Sequence, residues 1–490
     1  MSQIKERTDF EWKTTSSVGK ASPPMRVNSA AVSCNNAIYV VGGKGVGTSN
    51  ETWALTLEDM EWEKLDPTGD IPPGRDSHSL TCIGRDKLLL FGGQGAHNDN
   101  DRTLRQTKTQ TYKVFQSREL FNDSHIYDCS KNTWTRVRCK SQVPFSRRGH
   151  STTYIPPFYS EKVARPAPPN PLIPDGCVVL YGGSGMDTFT GIEVPFNDVW
   201  VYYPEKEWWE AIQTRGIPPI PTFLHATALQ GDFIIVAGGL SDPSPPNSIA
   251  TTKDKKIVQM SNYAKPPCGV MMFNIRTLCW SHLELTAPLT GTKVGVFYYG
   301  LSAVSDPSNS DLVFIFGGRD TGEQVPDKSK AKTKMKQRRG QVHGTAPYAF
   351  QLDIRKCTLT AVVSLKTPPE NRYGHVAVSI LPPDYRASFY DRAVKSKFSF
   401  NTVFYIYGGC SSAQGKCGYC IPHVFELQKS ITMMDDTNKA YFEDEPKDQL
   451  TQIAANGFMN LGLTEAENEA AGARIMTEGL KDLSLPATRM

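Results

Sequence analysis

Nowhere in the 490 residues do 18 apolar residues run together, so no stretch reads as a membrane-spanning helix. The first residues, Met1-Ser2-Gln3-Ile4-Lys5-Glu6-Arg7, are charged and lack the apolar core of a secretory signal. Net charge is also scarce. The 54 Lys and Arg against 50 Asp and Glu leave +4, too little for a general affinity for nucleic acid. There is no Walker phosphate loop, no dinucleotide-binding glycine fingerprint and no Gly-x-Ser-x-Gly nucleophile elbow. The cysteines number 11, an odd count, and most sit in strand-like runs. The expectation is free, buried thiols in a reducing, cytoplasmic compartment rather than a disulfide framework.

What the chain has in quantity is glycine (39), proline (34) and aromatics (10%), a composition of short strands and turns. Length alone predicts two or three domains. A closed ring of repeats can exceed that limit, because each repeat packs only on its neighbours. Glycine pairs end six apolar, β-favouring runs: Ile38–Gly43, Leu88–Gly93, Val178–Gly183, Phe233–Gly239, Leu312–Gly318 and Thr402–Gly409. Upstream of several lies a strand opened by Arg or His, as in Arg148-Gly149-His150-Ser151. Downstream come a third strand and then a fourth that carries Trp62, Trp134, Trp208 or Trp280; the fifth unit has Thr358 near that place. Two glycines let a strand end bend and another backbone approach closely. A large aromatic on an outer strand fills the wedge between twisted neighbouring sheets. The sixth unit lacks its fourth strand, and a matching piece stands at the N-terminus: Asp9-Phe10-Glu11-Trp12-Lys13 mirrors Met60-Glu61-Trp62-Glu63-Lys64. Four-stranded units that cannot bury both faces alone must stack, and the N-terminal strand closes the ring.

These residues resemble the kelch family: a double glycine after an apolar strand, an aromatic near the third strand and Trp on the fourth, over roughly residues 9–428. The resemblance implies an all-β, six-bladed kelch-type β-propeller over 1–428, with residues 9–13 completing the last blade. It also implies a non-catalytic protein-interaction module, a scaffold subunit of a larger assembly of cytoskeletal or ciliary type. An alternative is a metal-dependent or sugar-modifying enzyme working in the propeller channel. No set of catalytic groups assembles residue by residue for it. The iron motif suggested for kelch-type specifier proteins fails here, since Glu119-x3-Asp123 is followed by Tyr127 and not by His. Beyond the repeats, 429–490 is an acidic tail with helical spacing around 446–455 and 464–480.

Long insertions between second and third strands (94–121, 240–268, 319–347 and 410–422) emerge beside the inter-blade connections, which makes that face the expected binding surface. Three candidate sites follow. Arg26, Arg75, Arg148 and Arg372 open the first strands and are expected to grip carboxylates of a partner; His78, Arg147, His150, His225 and His375 share that location. The basic run containing Lys330, Lys332, Lys334, Lys336, Arg338 and Arg339 has no interleaved aromatics for base stacking, and is expected to meet an acidic protein surface or tail. RNA or an anionic membrane surface is the competing ligand for that run. Finally, Cys410, Cys417, Cys420 and His423 have the makings of a tetrahedral structural zinc site, against a reading as unlinked thiols beside a histidine that opens a strand.

Overall fold

In a computed structural model, six antiparallel blades of four strands follow one another along the chain, each in the order a-b-c-d, and three of them are extended at the d strand by short strands from the preceding connection. The structure describes residues 5–15, 22–45, 47–95, 119–157, 176–187, 193–241, 249–251, 257–259, 270–288, 291, 293–296, 298–320, 349–362, 364, 366, 369, 372–380, 399–411 and 424–434. Blade one comprises Ala30–Cys34, Ala37–Val41, Thr52–Thr56 and Trp62–Leu65. Blade two comprises Ser79–Ile83, Lys87–Phe91, Ser124–Asp128 and Thr133–Arg136, and blade three Ser151–Ile155, Cys177–Tyr181, Val199–Tyr203 and Trp208–Ile212. Blade four comprises Ala226–Gln230, Phe233–Ala237, Val270–Asn274 and Cys279–Leu283, and blade five Ser302–Ser305, Leu312–Phe316, Ala349–Asp353 and Thr358–Ala361.

Blade six takes strands a to c from Arg372–Ile380, Ser399–Ser411 and Val424–Met434, and its d strand from the N-terminus. Lys5–Thr15 pairs antiparallel with Val424–Met434 along its whole length, with Trp12 opposite Leu427. The ring therefore closes by strand pairing between chain ends, as the orphan Trp12 segment predicted. The c strand of this blade runs past residue 428, where the repeats were expected to stop. The helical segments expected in the tail lie outside the described residues.

The apolar core is divided among the seams. Six buried clusters form, each shared by two adjacent blades; Phe91 and Leu89 of blade two, for example, meet Leu180, Tyr202 and Trp209 of blade three. The fourth-strand tryptophans fill these wedges. Trp134 Nε1 donates across a seam to Thr52 Oγ1 at 3.4 Å, and Trp209 Nε1 to Ser124 Oγ at 3.2 Å. In blade three the wedge residue is Trp209 and not Trp208. Trp209 is 1% exposed, whereas Trp208 faces solvent, because the register sets Tyr202 opposite Trp209. In blade five the place falls to buried Leu359, one residue beyond Thr358.

Each glycine pair is a joint with the next blade. The second glycine donates its N–H to a carbonyl that opens the following blade: Gly43 to Arg75 (2.8 Å), Gly93 to Arg147 (2.8 Å), Gly183 to Thr222 (2.9 Å), Gly239 to Tyr298 (2.8 Å), Gly318 to Arg372 (2.8 Å) and Gly409 to Arg26 (3.1 Å). At Gly182, φ is +63° and a Cβ would lie 2.7 Å from the Thr222 oxygen. Gly182→Ala combines left-handed strain with overpacking and is expected to cost about 3 kcal/mol in urea denaturation. Gly84→Ala, at φ +78° in open space, should cost only the backbone strain of about 1 kcal/mol.

One feature departs from the expectation of free thiols. Cys34 and Cys82, on the a strands of blades one and two, are disulfide-bonded with Cα atoms 5.9 Å apart. Stacking similar repeats brings similar positions together, so two cysteines 48 residues apart become neighbours across a seam. Among the described residues no helix is long and apolar enough to cross a membrane.

Candidate functional site

The start of strand a, the end of b, the start of c and the end of d share one face, as the register Ser79–Phe91–Ser124 requires. The b–c loops and the d–a connections emerge there. The a–b and c–d turns occupy the opposite face.

At the axis this face carries a backbone collar. One residue per blade, two positions before the a strand in blades one to five and inside it in blade six, donates its N–H to the equivalent carbonyl of the preceding blade: Ser77 to Asn28 (2.9 Å), Gly149 to Ser77 (2.8 Å), Leu224 to Gly149 (2.7 Å), Gly300 to Leu224 (2.9 Å), Gly374 to Gly300 (2.7 Å) and Asn28 to Gly374 (2.8 Å). All six have positive φ, between 55° and 64°. A cavity of about 110 Å³ lies at the collar, lined in part by His78, His150, His225, His375, Ser29 and Leu301, one from each blade.

The four histidines are buried. Each Cε1 sits against the first glycine of the preceding blade's pair, for example 3.0 Å from where a Gly92 Cβ would stand for His150. His150 Nε2 lies 2.9 Å from Ser79 Oγ, and His225 Nε2 2.9 Å from Ser151 Oγ. Burial, reinforced by neighbouring arginines at His78 and His375, pulls the pKa of His78, His225 and His375 down to about 3, and that of His150 well below its ordinary value. They are neutral seam residues. Among the described residues, no group of three or more His, Cys, Asp or Glu side chains is placed to hold a metal ion.

The arginines correct the sequence expectation. Arg26, Arg75 and Arg372 are buried, as is Arg147, so they do not present their charge to a partner. Each spans its own blade from the d–a connection to the glycine pair. Arg75 donates to Gly92 O at 2.9 Å and grips Asp123 with two hydrogen bonds of 2.6 and 2.9 Å. Arg147 repeats this with Gly182 O and Asp198, at 2.9, 2.7 and 2.8 Å. Arg26 reaches Gly42 O and Glu51, and Arg372 reaches Gly408 O. Burial pushes the Glu51 carboxyl up, but hydrogen bonds from Lys64, Arg26 and Trp53 outweigh it and hold the pKa at about 2. The phenyl rings of Phe121 and Phe196 cover Arg75 and Arg147, their centroids 4.2 and 4.5 Å from the guanidinium carbons. Arg75 and Arg147 each grip a carboxylate with two hydrogen bonds, and that carboxylate belongs to the protein itself. Arg148, one residue out of the repeat, is only partly buried; it pairs with Glu193 at 2.7 Å and lies over Phe223.

The basic run with Lys330, Lys332, Lys334, Lys336, Arg338 and Arg339 lies outside the described residues, as do Cys417, Cys420 and His423. Cys410 is buried at the end of a b strand, opposite Tyr373.

Among the described residues, this face carries most of the exposed large apolar side chains. Seven large apolar side chains stand out among the described residues, and six belong here: Met25, Ile71, Phe145, Met186, Ile217 and Ile220. The seventh, Trp208, is at a c–d turn on the opposite face. Five of the six lie in the d–a connections, where they recur beside prolines. Ile71, Pro73, Met25, Pro24, Phe145 and Pro218 are exposed, whereas the intervening Pro72, Pro23, Pro144 and Pro219 are buried. The local cause is shared. Arg26, Arg75 and Arg147 each donate Nε–H to the carbonyl two residues upstream at 3.0 Å, which pins the connection into a tight arch with its tip outward. Ile217 is 84% and Phe145 56% exposed, values far from those of a buried core. Sequence reasoning missed these residues, though their proline-flanked recurrence just before the first strands of blades one to four was the available signal.

The glycine joints, wedge tryptophans and closing strand decide the architecture. The chain is a kelch-type six-bladed β-propeller. The sequence model of the KLHDC2/KLHL20/DRC7 Kelch-repeats domain matches residues 7–159. Kelch domain-containing protein 3 of Bos taurus is 24% identical over 321 residues, covering 56% of this chain and 78% of that protein. Kelch domain-containing protein 2 of Bos taurus is 25% identical over 331 residues, covering 62% and 66%. Among solved structures, YjhT is 16% identical with a TM-score of 0.48, covering 86% of this chain and 98% of that one.

Proposed function

We propose that this kelch propeller is a protein-interaction module, a scaffold subunit that binds its partner through the d–a and b–c face. The observation that carries the reading is the one-sidedness of its exposed apolar side chains. Exposed apolar side chains at equivalent places in four successive d–a connections give this face a repeated set of anchors for another macromolecule. Proline holds φ fixed, so a proline-flanked arch loses little freedom on binding. The prolines and the Arg Nε hydrogen bonds thus set Met25, Ile71 and Phe145 in advance on a rigid rim. The partner presents apolar side chains to that rim; an acidic character for it, and a cytoskeletal or ciliary assembly as the setting, rest on the sequence alone.

Phe145→Asp and Ile217→Asp test the reading, because both residues are exposed and neither supports the core. Each is expected to weaken co-fractionation with the native partner at least tenfold, on the order of 2 kcal/mol as for an interface anchor, with the Tm unchanged. Trp208→Asp, an exposed aromatic on the opposite face, should leave binding intact. Equal loss in all three variants, or in none, would refute the assignment of the face.

A further inference from the structure

Cys34 ends the a strand of blade one and Cys82 is the penultimate residue of the a strand of blade two. Their Cα separation of 5.9 Å lies within the range a disulfide spans without backbone movement. The surroundings serve the open pair as well. Cys34 Sγ lies 3.3 Å from the Arg85 carbonyl oxygen, and Cys82 Sγ lies 3.9 Å from that of Gly84, so a thiol at Cys34 has an acceptor in place and one at Cys82 has a longer contact. Access differs between the two. Cys34 is buried, whereas Cys82 is half-buried and open to a small reagent. Cys129, Cys139, Cys177, Cys279 and Cys357 are not bonded to another sulfur.

We propose that Cys34–Cys82 is a redox-responsive clamp on the seam between blades one and two. The oxidant is a small disulfide of the glutathione class. To close the clamp, the Cys82 thiolate attacks that disulfide, expels one glutathione thiolate and forms a mixed disulfide. The Cys34 thiolate then displaces the second glutathione, leaving the protein disulfide. Two electrons have passed to the oxidant and two thiol protons to solvent. To open it, a reducing thiolate attacks the accessible Cys82 sulfur. Cys34 leaves as thiolate, takes a proton from solvent and donates to the Arg85 carbonyl. A second reducing thiol then frees Cys82. The clamp sits beside the a–b turns, on the face opposite the apolar rim, so it stiffens the ring without covering the candidate binding surface. It also removes loop entropy from the unfolded chain over the 48-residue separation, which makes closure stabilising.

The test uses the full chain in glutathione buffers of increasing potential, with alkylation, peptide mass spectrometry and a melting curve at each point. Cys34 and Cys82 are expected to lose alkylation together in one two-electron transition, while Cys129 and Cys279 stay alkylated. The Tm should rise by a few degrees over the same transition and fall back with dithiothreitol. Cys82→Ser and Cys34→Ser should each hold the Tm at the reduced value in every buffer. Three results would overturn the proposal: both thiols alkylated in excess glutathione disulfide, a disulfide that dithiothreitol fails to open in the folded protein, or a Tm that still follows potential in both serine variants.

Discussion

Deleting residues 1–15 should leave a propeller that does not fold cooperatively. The removed strand supplies the whole fourth layer of blade six, in register with Val424–Met434. Trp12, 4% exposed, fills the seam with blade five against Phe316, and Phe10 meets Phe314 edge-on at 5.8 Å. Truncating a buried Trp costs about 3–5 kcal/mol by itself, and domain stabilities are only about 5–15 kcal/mol. Removing the strand also bares the full c-strand edge of Val424–Met434, an invitation to aggregation. Trp12→Ala should therefore lower the urea midpoint markedly. The deletion should yield a broad, non-cooperative transition that a synthetic peptide spanning 5–15 restores. A deletion variant with an unchanged sharp transition would show that closure by this strand does not hold the ring.

Acidification should destabilise the ring from about pH 6.5 downward, before the carboxylates titrate. A buried neutral histidine with a pKa near 3 stays unprotonated in the fold, while the same side chain titrates near 6.5 once unfolded. Between those values the unfolded chain binds more protons, so stability falls as pH falls, by about 1.4 kcal/mol per pH unit for each such histidine. His78, His225 and His375 together give a slope on the order of 4 kcal/mol per unit around pH 5, and His150 acts in the same direction. Glu51 adds to this lower down: its stabilisation is complete above its unfolded pKa near 4.5 and is lost as pH drops toward 2. The fold itself supplies the control, since Leu301 occupies in blade five the place that histidines hold in blades two, three, four and six. His375→Leu is expected to flatten the pH dependence by about one proton while keeping the seam packed. A urea midpoint flat from pH 7 to pH 5, or an unchanged slope in His375→Leu, would contradict this account.

The architecture was legible because its determinants are local and repeated. Glycine pairs, strand periodicity and the spare Trp12 segment recur at matching offsets, and a ring is the one way to use them all. The wedge position in blade three was misplaced by one residue because Trp208 and Trp209 stand side by side and only the register of strand d separates them. The arginines were misread for a different reason. A sequence shows Arg75 and Arg147 before each first strand but not the acidic residue at the start of the third strand that neutralises each of them. Asp123 lies 48 residues from Arg75, and Asp198 lies 51 residues from Arg147. The apolar rim was overlooked because single Met, Ile and Phe residues between prolines look like ordinary loop content until the fold gathers them on one face. Likewise Cys34 and Cys82 pair through repeat stacking, which an odd cysteine count conceals.

The most direct measurement is crosslinking mass spectrometry of the protein in its native complexes, because lysines mark both faces. Lys44 and Lys140 lie in a b–c loop and a d–a connection, whereas Lys131, Lys206 and Lys356 lie at c–d turns. Recurrent crosslinks to one protein from Lys44 and Lys140, with Lys131, Lys206 and Lys356 linked only within the chain, are the predicted outcome. Partner crosslinks confined to the c–d turns, or a free monomer with no recurring neighbour, would contradict a binding module that works through the d–a face.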